Sequence, residues 1–328
     1  MKDKVGIPRG MFYYDYYILW ENFFNNLGVE IVLSPETNKD ILDKGVHACV
    51  DEACLPVKVF HGHVDYLKDR VDYIFIPKFI SVYRREYCCP KHLGLPDMVR
   101  HSMKGLPELI KPKVDLKKSN RDMKRAIIHT GKYFNKSAGA AIKAFNKAQN
   151  RFQRYMESIR QGAMPIHGIK YDEYNPSQIL LLGHSYNIYD RYINMGIVDK
   201  LRANDAGVIT VEMLDTHTMR KHTSGLSKRI FWTHGQRIVG GAFALMDEGL
   251  IDGIIYISSF GCGMDSVLME LTERRAKKLG IPFTILTIDE QTGEAGINTR
   301  IEAFLDMLKW RSKDEDNLPT HGEYIHSR

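Results

Sequence analysis

Residues 5–33 have the sequence VGIPRGMFYYDYYILWENFFNNLGVEIVL, and this stretch decides the fold class. A short apolar run at residues 5–7 is followed by a helical pattern from about Tyr13 to Leu27 and, after Gly28, by a second apolar run that ends at Leu33. A strand, a helix and a second strand in that order are typical of a βαβ unit, in which the two strands are parallel.

The same alternation continues along the chain and predicts further strands and helices. A helical stretch at residues 56–68 begins with a proline, as helix starts often do, and precedes a third strand at residues 73–76. Residues 122–161 predict one long helix with a weak point at Gly139. Four more strands are predicted at residues 179–182, 208–211, 254–257 and 283–287.

This order of elements predicts an α/β protein with two lobes built on parallel sheets. We predict an N-terminal lobe at residues 1–118, a long helical connector at 119–170 and a C-terminal lobe at 171–328. Each strand of the C-terminal lobe ends in a polar or glycine-rich turn. Ligands bind beyond the carboxyl ends of parallel strands, so these turns are expected to share one crevice.

Three cysteines lie in tight turns at the ends of separate segments, and they predict an iron-sulfur site. Cys54 and Cys89 are each followed within two residues by proline, and Cys262 is flanked by glycines. Cys54 and Cys262 are expected at helix N-termini, which favour the thiolate. Three thiolates would leave one iron of a 4Fe-4S cube open to a substrate oxygen.

Other interpretations of the cysteines stay open at this point. Each could be a small buried residue, and Cys262 could be a nucleophile. A structural zinc site favours paired Cys-x2-4-Cys knuckles, which this chain lacks. Cys88 adjoins Cys89, so at most one of the pair is expected to bind a given cluster, and we favour Cys89 next to Pro90. Cys49 and Cys88 are read as structural or as ligands of a larger or second cluster.

Polar residues near strand ends are the candidates for the chemistry around such a cluster. His184 and Tyr186 directly follow a predicted strand and could donate protons or hydrogen bonds in the crevice. Glu290 belongs to a dense polar run, where a carboxylate could act as a base, although a salt-bridged turn explains that run equally well. His61 and His63 are expected to pack rather than to bind metal.

Composition excludes several classes of function. The chain has 328 residues, 44% of them hydrophobic and 26% charged, with a formal charge of +6 but no basic stripe with stacking aromatics, so no nucleic-acid role is expected. No window predicts a membrane span, and the acidic residues in the run 11–24 favour a buried helix over a signal peptide. An odd cysteine count argues against a disulfide framework, so a cytoplasmic location is expected.

Five ordered motifs resemble a known superfamily over nearly the whole chain. The motifs are Glu52-Ala53-Cys54-Leu55-Pro56-Val57-Lys58 with His61-Gly62-His63-Val64, Cys89-Pro90-Lys91, residues 183–190 (GHSYNIYD), residues 260–266 (FGCGMDS) and residues 287–296 (TIDEQTGEAG) running on into 299–304 (TRIEAF). Together they resemble the activase-related branch of the 2-hydroxyacyl-CoA dehydratase and benzoyl-CoA reductase superfamily, long carried as a domain of unknown function.

The resemblance implies two Rossmann-like lobes with an iron-sulfur cluster between them, held by Cys54, Cys89 and Cys262. It also implies a separate ATP-hydrolysing activator that delivers one low-potential electron, and a CoA thioester or small-molecule substrate. The chain itself lacks a phosphate-binding loop, which agrees with that division of labour. A double-cubane cluster, known in the wider superfamily, is the alternative to a single 4Fe-4S cube.

The resulting hypothesis is an iron-sulfur reductase or an (R)-2-hydroxyacyl-CoA dehydratase-like lyase, expected to work as a homodimer. His184, Tyr186 and Glu290 are predicted to surround the cluster. Two other hypotheses remain: an electron-transfer or cluster-handling accessory without its own substrate, and a metal-free module that binds an acyl-CoA or a nucleotide.

Overall fold

A computed structural model describes residues 2–117, 121–163 and 177–317, with side chains described as far as residue 311. The strands, in chain order, are β1 Lys4–Ile7, β2 Glu30–Leu33, β3 Tyr73–Phe75, β4 Lys78–Ser81, β5 Glu108–Ile110, β6 Lys113–Asp115, β7 Ser177–Gly183, β8 Ala206–Ile209, β9 Gly253–Ser259 and β10 Phe283–Ile288. Within these ranges, every strand pair between named strands is parallel.

The helices connect these strands in the manner of βαβ units. Their bounds are α1 Tyr13–Leu27, α2 Lys39–Ala48, α3 Leu55–Leu67, α4 Pro90–Ser102, α5 Arg121–Lys132, α6 Ala138–Arg160, α7 Ser185–Tyr189, α8 Ile197–Ala203, α9 Thr216–Thr223, α10 Thr233–Asp247, α11 Gly263–Lys278 and α12 Glu294–Asn317, with a short 3-10 helix at Val211–Met213. No helix in the described part of the chain is both long and apolar enough to cross a bilayer.

Two four-stranded sheets share the same topology. The N-terminal sheet has the order β2-β1-β3-β5, and the C-terminal sheet has the order β8-β7-β9-β10. In each sheet the first strand of the lobe lies between the second and the third, so the strand order reverses beside it. Ligands bind at such switch points, which here lie at the ends of β1 and β3 and of β7 and β9. The predicted α/β fold with parallel sheets is confirmed.

Two prolines divide the edge of the N-terminal sheet. Pro77 separates β3 from β4, and Pro112 separates β5 from β6, because proline lacks the N–H that a ladder needs. Strands β4 and β6 pair with each other as a separate two-stranded sheet. Strands β4, β5 and β6 were not predicted from the sequence. Strand β4 matters for the site because the Cys88 N–H donates to the carbonyl of Ile80 within it.

The prediction of one long helix over residues 122–161 is wrong in detail. The chain forms α5 and α6 instead, because Asn135 adopts a left-handed conformation and the Ser137 side chain caps α6 by accepting from the Ala140 N–H. Helix α6 packs along α1 of the N-terminal lobe. The predicted boundaries of the two lobes and the connector stay predictions.

Helices α2 and α3 cross at two glycines. A Cβ atom on Gly45 would lie 1.9 Å from the carbonyl oxygen of Lys58, and one on Gly62 would lie 1.8 Å from that of Ile41. Such contacts with backbone atoms are not relieved by a side-chain rotation. The glycine between His61 and His63 is therefore required by helix packing, and this packing fixes the helix that begins after Cys54.

We predict that Gly62→Ala lowers the free energy of unfolding by about 3 kcal/mol, because α3 must move away from α2. Urea unfolding followed by circular dichroism measures this change. The matched control is Gly139→Ala in α6, where the added methyl group would meet no atom within 4 Å and helix propensity favours alanine. Equal stabilities of the two variants would contradict the close crossing.

Candidate metal centre

The three candidate ligand cysteines each occupy the N-cap position of a helix. Cys54 precedes α3, Cys89 precedes α4 and Cys262 precedes α11. None of the three thiols caps its helix through a side-chain hydrogen bond. Free N–H groups and the helix dipole create positive potential at each position, which stabilises anionic sulfur. The expected helix-start placement of Cys54 and Cys262 is therefore found, and Cys89 has it too.

The charges of the same three cysteines all act on one buried side chain, that of Tyr186. Burial raises the pKa of Tyr186 well above its usual value, and the negative charges of Cys262, Asp265, Cys54 and Cys89 raise it further. Burial also raises the pKa of Cys89, to which Cys262 and Cys54 add. Thiols from both lobes thus lie within electrostatic reach of one another. A set of three soft sulfur donors at positive helix ends fits an iron-sulfur cluster.

His184 and Asp265 form a buried ion pair beside Cys262. The His184 Nε2 atom lies 3.3 Å from Asp265 Oδ1 and 3.9 Å from the Cys262 Sγ atom. Asp265 is held in turn by the hydroxyl groups of Tyr256, at 2.7 Å, and Ser258, at 3.0 Å. Both side chains of the pair are almost inaccessible to solvent. The pair positions a cationic imidazole against the Cys262 sulfur.

The two charges of this pair stabilise each other. Burial by itself would lower the pKa of His184, but the adjacent Asp265 carboxylate raises it well above the usual value. Burial likewise opposes the lowered pKa of Asp265, which His184 and the two hydroxyl donors bring about. The His184 ring stacks on that of Tyr186, with centroids 4.9 Å apart and an interplanar angle of 11°. His184 and Tyr186, both predicted from the sequence, are therefore neighbours.

The ligand atoms of His184, Cys262 and Asp265 all lie within 4.8 Å of one another. This spacing also suits a single metal ion bound by nitrogen, sulfur and oxygen. Binding of that kind would require deprotonated His184, whereas its ion pair with Asp265 favours the protonated form. The electrostatics therefore favour a proton-carrying role for His184 over a ligand role.

Two further histidines, missed in the sequence analysis, complete the buried cluster of rings. His92 lies one turn into α4 after Cys89, and both of its ring nitrogens lack a hydrogen-bond partner. His234, on α10, has its ring centroid 5.5 Å from that of His92 and 5.2 Å from that of His184. Burial lowers the pKa of His92 well below its usual value and also lowers that of His234. Both rings are therefore neutral beside a charged His184.

A network of charges lies behind these rings, where the lobes meet. Asp15 on α1 accepts hydrogen bonds from Arg237, at 2.7 Å, and from Ser185, at 2.8 Å. Arg237 also donates to Glu212, whose other oxygen accepts from the hydroxyl group of Tyr189. Burial opposes the lowered pKa of Asp15, which Arg237, His234 and the Ser185 hydroxyl group bring about together. The sequence did not predict this network, because its members come from four separate segments of the chain.

Glu290 occupies a different place from the other two predicted catalytic residues. Its carboxylate pairs with the buried Lys58 ammonium at 2.5 Å, one turn into the helix that follows Cys54. Glu290 also lines an open cleft of about 560 Å³ together with Leu55 and Lys200. The structure thus brings Glu290 to the Cys54 side of the centre, while His184 and Tyr186 lie beside Cys262.

The remaining cysteines, Cys49 and Cys88, and the histidines His61 and His63 have surroundings that disfavour metal binding. Burial raises the pKa of Cys49 to about 11 and that of Cys88 to about 12, which disfavours their thiolates. His61 bonds to the carbonyl of Val57 in its own helix, and His63 bonds to the hydroxyl of Thr37. Their buried positions fit the expectation of packing rather than metal binding.

We predict that Asp265→Asn lowers the free energy of unfolding of the iron-free protein by about 3–5 kcal/mol, because it leaves buried His184 without its counter-charge. The depressed pKa of Asp265 stabilises the fold above about pH 4, and the raised pKa of His184 stabilises it below about pH 6.5. The loss is therefore largest between these values, and it shrinks as pH falls through the Asp265 pKa or rises through the His184 pKa.

Urea unfolding at several pH values measures this difference. The control is Asp199→Asn, which removes a solvent-exposed pair with Arg191 and should change stability by at most about 1 kcal/mol. A pH-independent difference for Asp265→Asn would rule out the ion pair.

Two family models match the chain. The family model described as CoA enzyme activase uncharacterised domain matches residues 4–214, and that of the 2-hydroxyglutaryl-CoA dehydratase D-component matches residues 214–308. The junction falls between β8 and β9, so both matches contribute strands to the C-terminal sheet. No curated protein matches the chain. Since the first match covers more than half of its 328 residues, the chain belongs to the CoA enzyme activase uncharacterised domain family, within the superfamily of the activase-related dehydratases.

Proposed function

We propose that the protein binds a 4Fe-4S cluster through Cys54, Cys89 and Cys262. The observation that supports this proposal is that three thiols from two lobes, each at a helix N-cap, act electrostatically on the same buried Tyr186. The match to a dehydratase D-component supports it independently. When bound by three thiolates, such a cluster supplies one-electron reduction and an iron that can take a substrate oxygen.

The residues around this position have roles that follow from their charge. His184, kept protonated by Asp265, holds a proton on the imidazole next to Cys262. The raised pKa of Tyr186 keeps its hydroxyl group neutral, so Tyr186 acts as a hydrogen-bond donor. Glu290 neutralises Lys58 on the Cys54 side, where it would govern access from the open cleft. We propose His184 as the proton donor to a substrate and Tyr186 as the group that orients it.

The two matching family models support a 2-hydroxyacyl-CoA dehydratase-like role for this protein. Within that role, we propose that a separate ATP-hydrolysing activator delivers the electron, since a Gly-x4-Gly-Lys-Ser/Thr loop does not occur in the sequence. The reaction proposed is reduction or reductive dehydration of a small or CoA-linked substrate. Dense burial of His92, His184 and His234 excludes bulk water from the reacting position, which protects a strongly reducing centre.

A mononuclear metal ion at His184, Cys262 and Asp265 is the competing proposal, favoured by the spacing of their ligand atoms. The mononuclear site would hold one metal ion per chain where the cluster holds four irons, and it would use no ligand from the N-terminal lobe. A mononuclear site needs neither Cys54 nor Cys89, whereas the cluster needs both.

We predict about four irons and about four acid-labile sulfides per chain after purification without oxygen. Changing Cys54, Cys89 or Cys262 to alanine should each remove most of the iron, because each supplies a thiolate. Cys88→Ala and His61→Ala serve as controls that should retain it. Iron and sulfide assays with an electron paramagnetic resonance spectrum make the measurement.

The alternatives give different results in the same experiment. About eight irons, reduced to about four by Cys49→Ala or Cys88→Ala, would indicate a double-cubane cluster. One metal ion without sulfide, retained in Cys54→Ala, would indicate the mononuclear site. Full iron retention in Cys262→Ala would overturn both assignments.

A further inference from the structure

Two adjoining cavities lie beside the buried rings, on the side of the lobe junction formed by α1 and α6. The first has a volume of about 190 Å³ and is lined by both polar and aromatic side chains. The second, of about 240 Å³, lies between α1, α5, α6 and the β4–β6 sheet. Tyr16, Val82 and Phe152 line both cavities, so the cavities adjoin at these side chains.

The first cavity presents hydrogen-bond donors. Arg220 and Arg237, both about three-quarters buried, line it. Arg220 donates two hydrogen bonds to Glu86, and Arg237 donates one each to Asp15 and Glu212. A guanidinium has five N–H donors, so each retains three for another acceptor.

Thr233, on the same cavity wall, adds a second observation. Its side chain is 7% exposed, and its hydroxyl group has no hydrogen-bond partner. A buried hydroxyl group without a partner costs free energy, which a bound acceptor would recover. The carboxylates on this wall are already engaged: Asp15 and Glu212 each accept from Arg237 and from a hydroxyl group. The cavity therefore offers donors to a ligand that brings acceptors.

The second cavity offers apolar surface. None of its lining residues is charged, and the wall includes Trp20, Phe23, Phe75, Phe79 and Phe145. A cavity of this composition stabilises hydrocarbon or aromatic groups. The two chambers together match a ligand with an acceptor-rich head and an apolar tail.

The cavities lie next to the candidate centre. The Phe12 ring is 4.3 Å from the ring of Phe79, which lines the apolar cavity. The same Phe12 ring is 4.2 Å from that of His92 and 5.0 Å from that of His234. One layer of rings thus separates the cavities from the histidines that adjoin His184.

We propose that these two cavities form a single binding site for a monocarboxylic acid with an apolar acyl or aryl tail. The carboxylate accepts from the guanidinium groups of Arg220 and Arg237 and from the Thr233 hydroxyl group, since a planar guanidinium matches a carboxylate. The tail packs past Phe152 against Trp20 and Phe79. Binding of the free acid at this site does not require a cluster.

Isothermal titration calorimetry of the full chain with phenylacetate and hexanoate tests this site. We expect both acids to bind, and acetate and phenylacetamide to bind at least tenfold more weakly, because acetate lacks the tail and phenylacetamide lacks the charge. The titrations are repeated on iron-free Cys262→Ala protein, so that failure of this site and failure of cluster binding give separate results.

Two variants locate the ligand without removing a buried charge. Thr233→Val deletes a hydroxyl group that has no partner, so the fold should retain its stability while affinity for both acids falls about tenfold. Met123→Trp narrows the apolar cavity and should weaken phenylacetate and hexanoate while leaving acetate unchanged. Lys124→Trp, at an exposed neighbouring position on α5, is the matched control.

Three results would overturn the proposal. These are the absence of binding of either acid to folded wild-type protein, equal affinity for phenylacetate and phenylacetamide, and wild-type affinity in both Thr233→Val and Met123→Trp. Thermal unfolding of each variant establishes that it is folded before titration.

Discussion

The buried carboxylate of Asp15 is the constraint on which the arrangement of the two lobes depends. It belongs to the first helix of the N-terminal lobe, yet its hydrogen-bond partners Ser185 and Arg237 belong to the C-terminal lobe. A buried charge without its partners is strongly destabilising, so the lobes must dock in the geometry that supplies them. Asp190 repeats this arrangement in the opposite direction, since it accepts from Tyr14 and Thr37 of the N-terminal lobe.

This docking also determines where the Cys89 thiol lies. The loop before it is tied to the C-terminal lobe by backbone hydrogen bonds from the Tyr87 N–H to Phe231 and from the Thr233 N–H to Tyr87. Glu86, in the same loop, pairs with Arg220. The turn that carries Cys89 is therefore positioned as much by the lobe that carries Cys262 as by its own. The proposed cluster, with ligands from both lobes, would therefore form only when the lobes are docked.

The charge of each histidine in the site depends on whether a carboxylate lies close enough to offset its burial. His184 is cationic because Asp265 lies beside it, whereas His92 is neutral because the charge of Asp15 does not offset its burial. The Tyr186 ring stacks on the charged His184 ring and has its centroid 6.0 Å from that of His92. One charged imidazole therefore lies beside two neutral ones, and the proposed proton donor is the charged one, His184. Both ring nitrogens of the buried His92 lack a hydrogen-bond partner, so a ligand that reached them could form hydrogen bonds there.

The sequence by itself determined the features that depend only on residues close together in the chain, namely strands, turns and helix starts. Apolar periodicity located most strands, since a buried strand needs only a short run of apolar residues. Proline and glycine after Cys54, Cys89 and Cys262 predicted turns, because they restrict or free the backbone locally; all three turns lead into helices. His184 and Tyr186 were found because they directly follow a strand end.

Only the tertiary structure decided which of these groups meet. Asp265 belonged to a quoted motif, but its pairing with His184, 81 positions away, depends on adjacent strands β7 and β9. His92 and His234 come together through the docking of two lobes, and Glu290 was separated from His184 by its pairing with Lys58. Local patterns carry no record of such pairings, because contacts between distant segments depend on how sheets and helices pack in three dimensions.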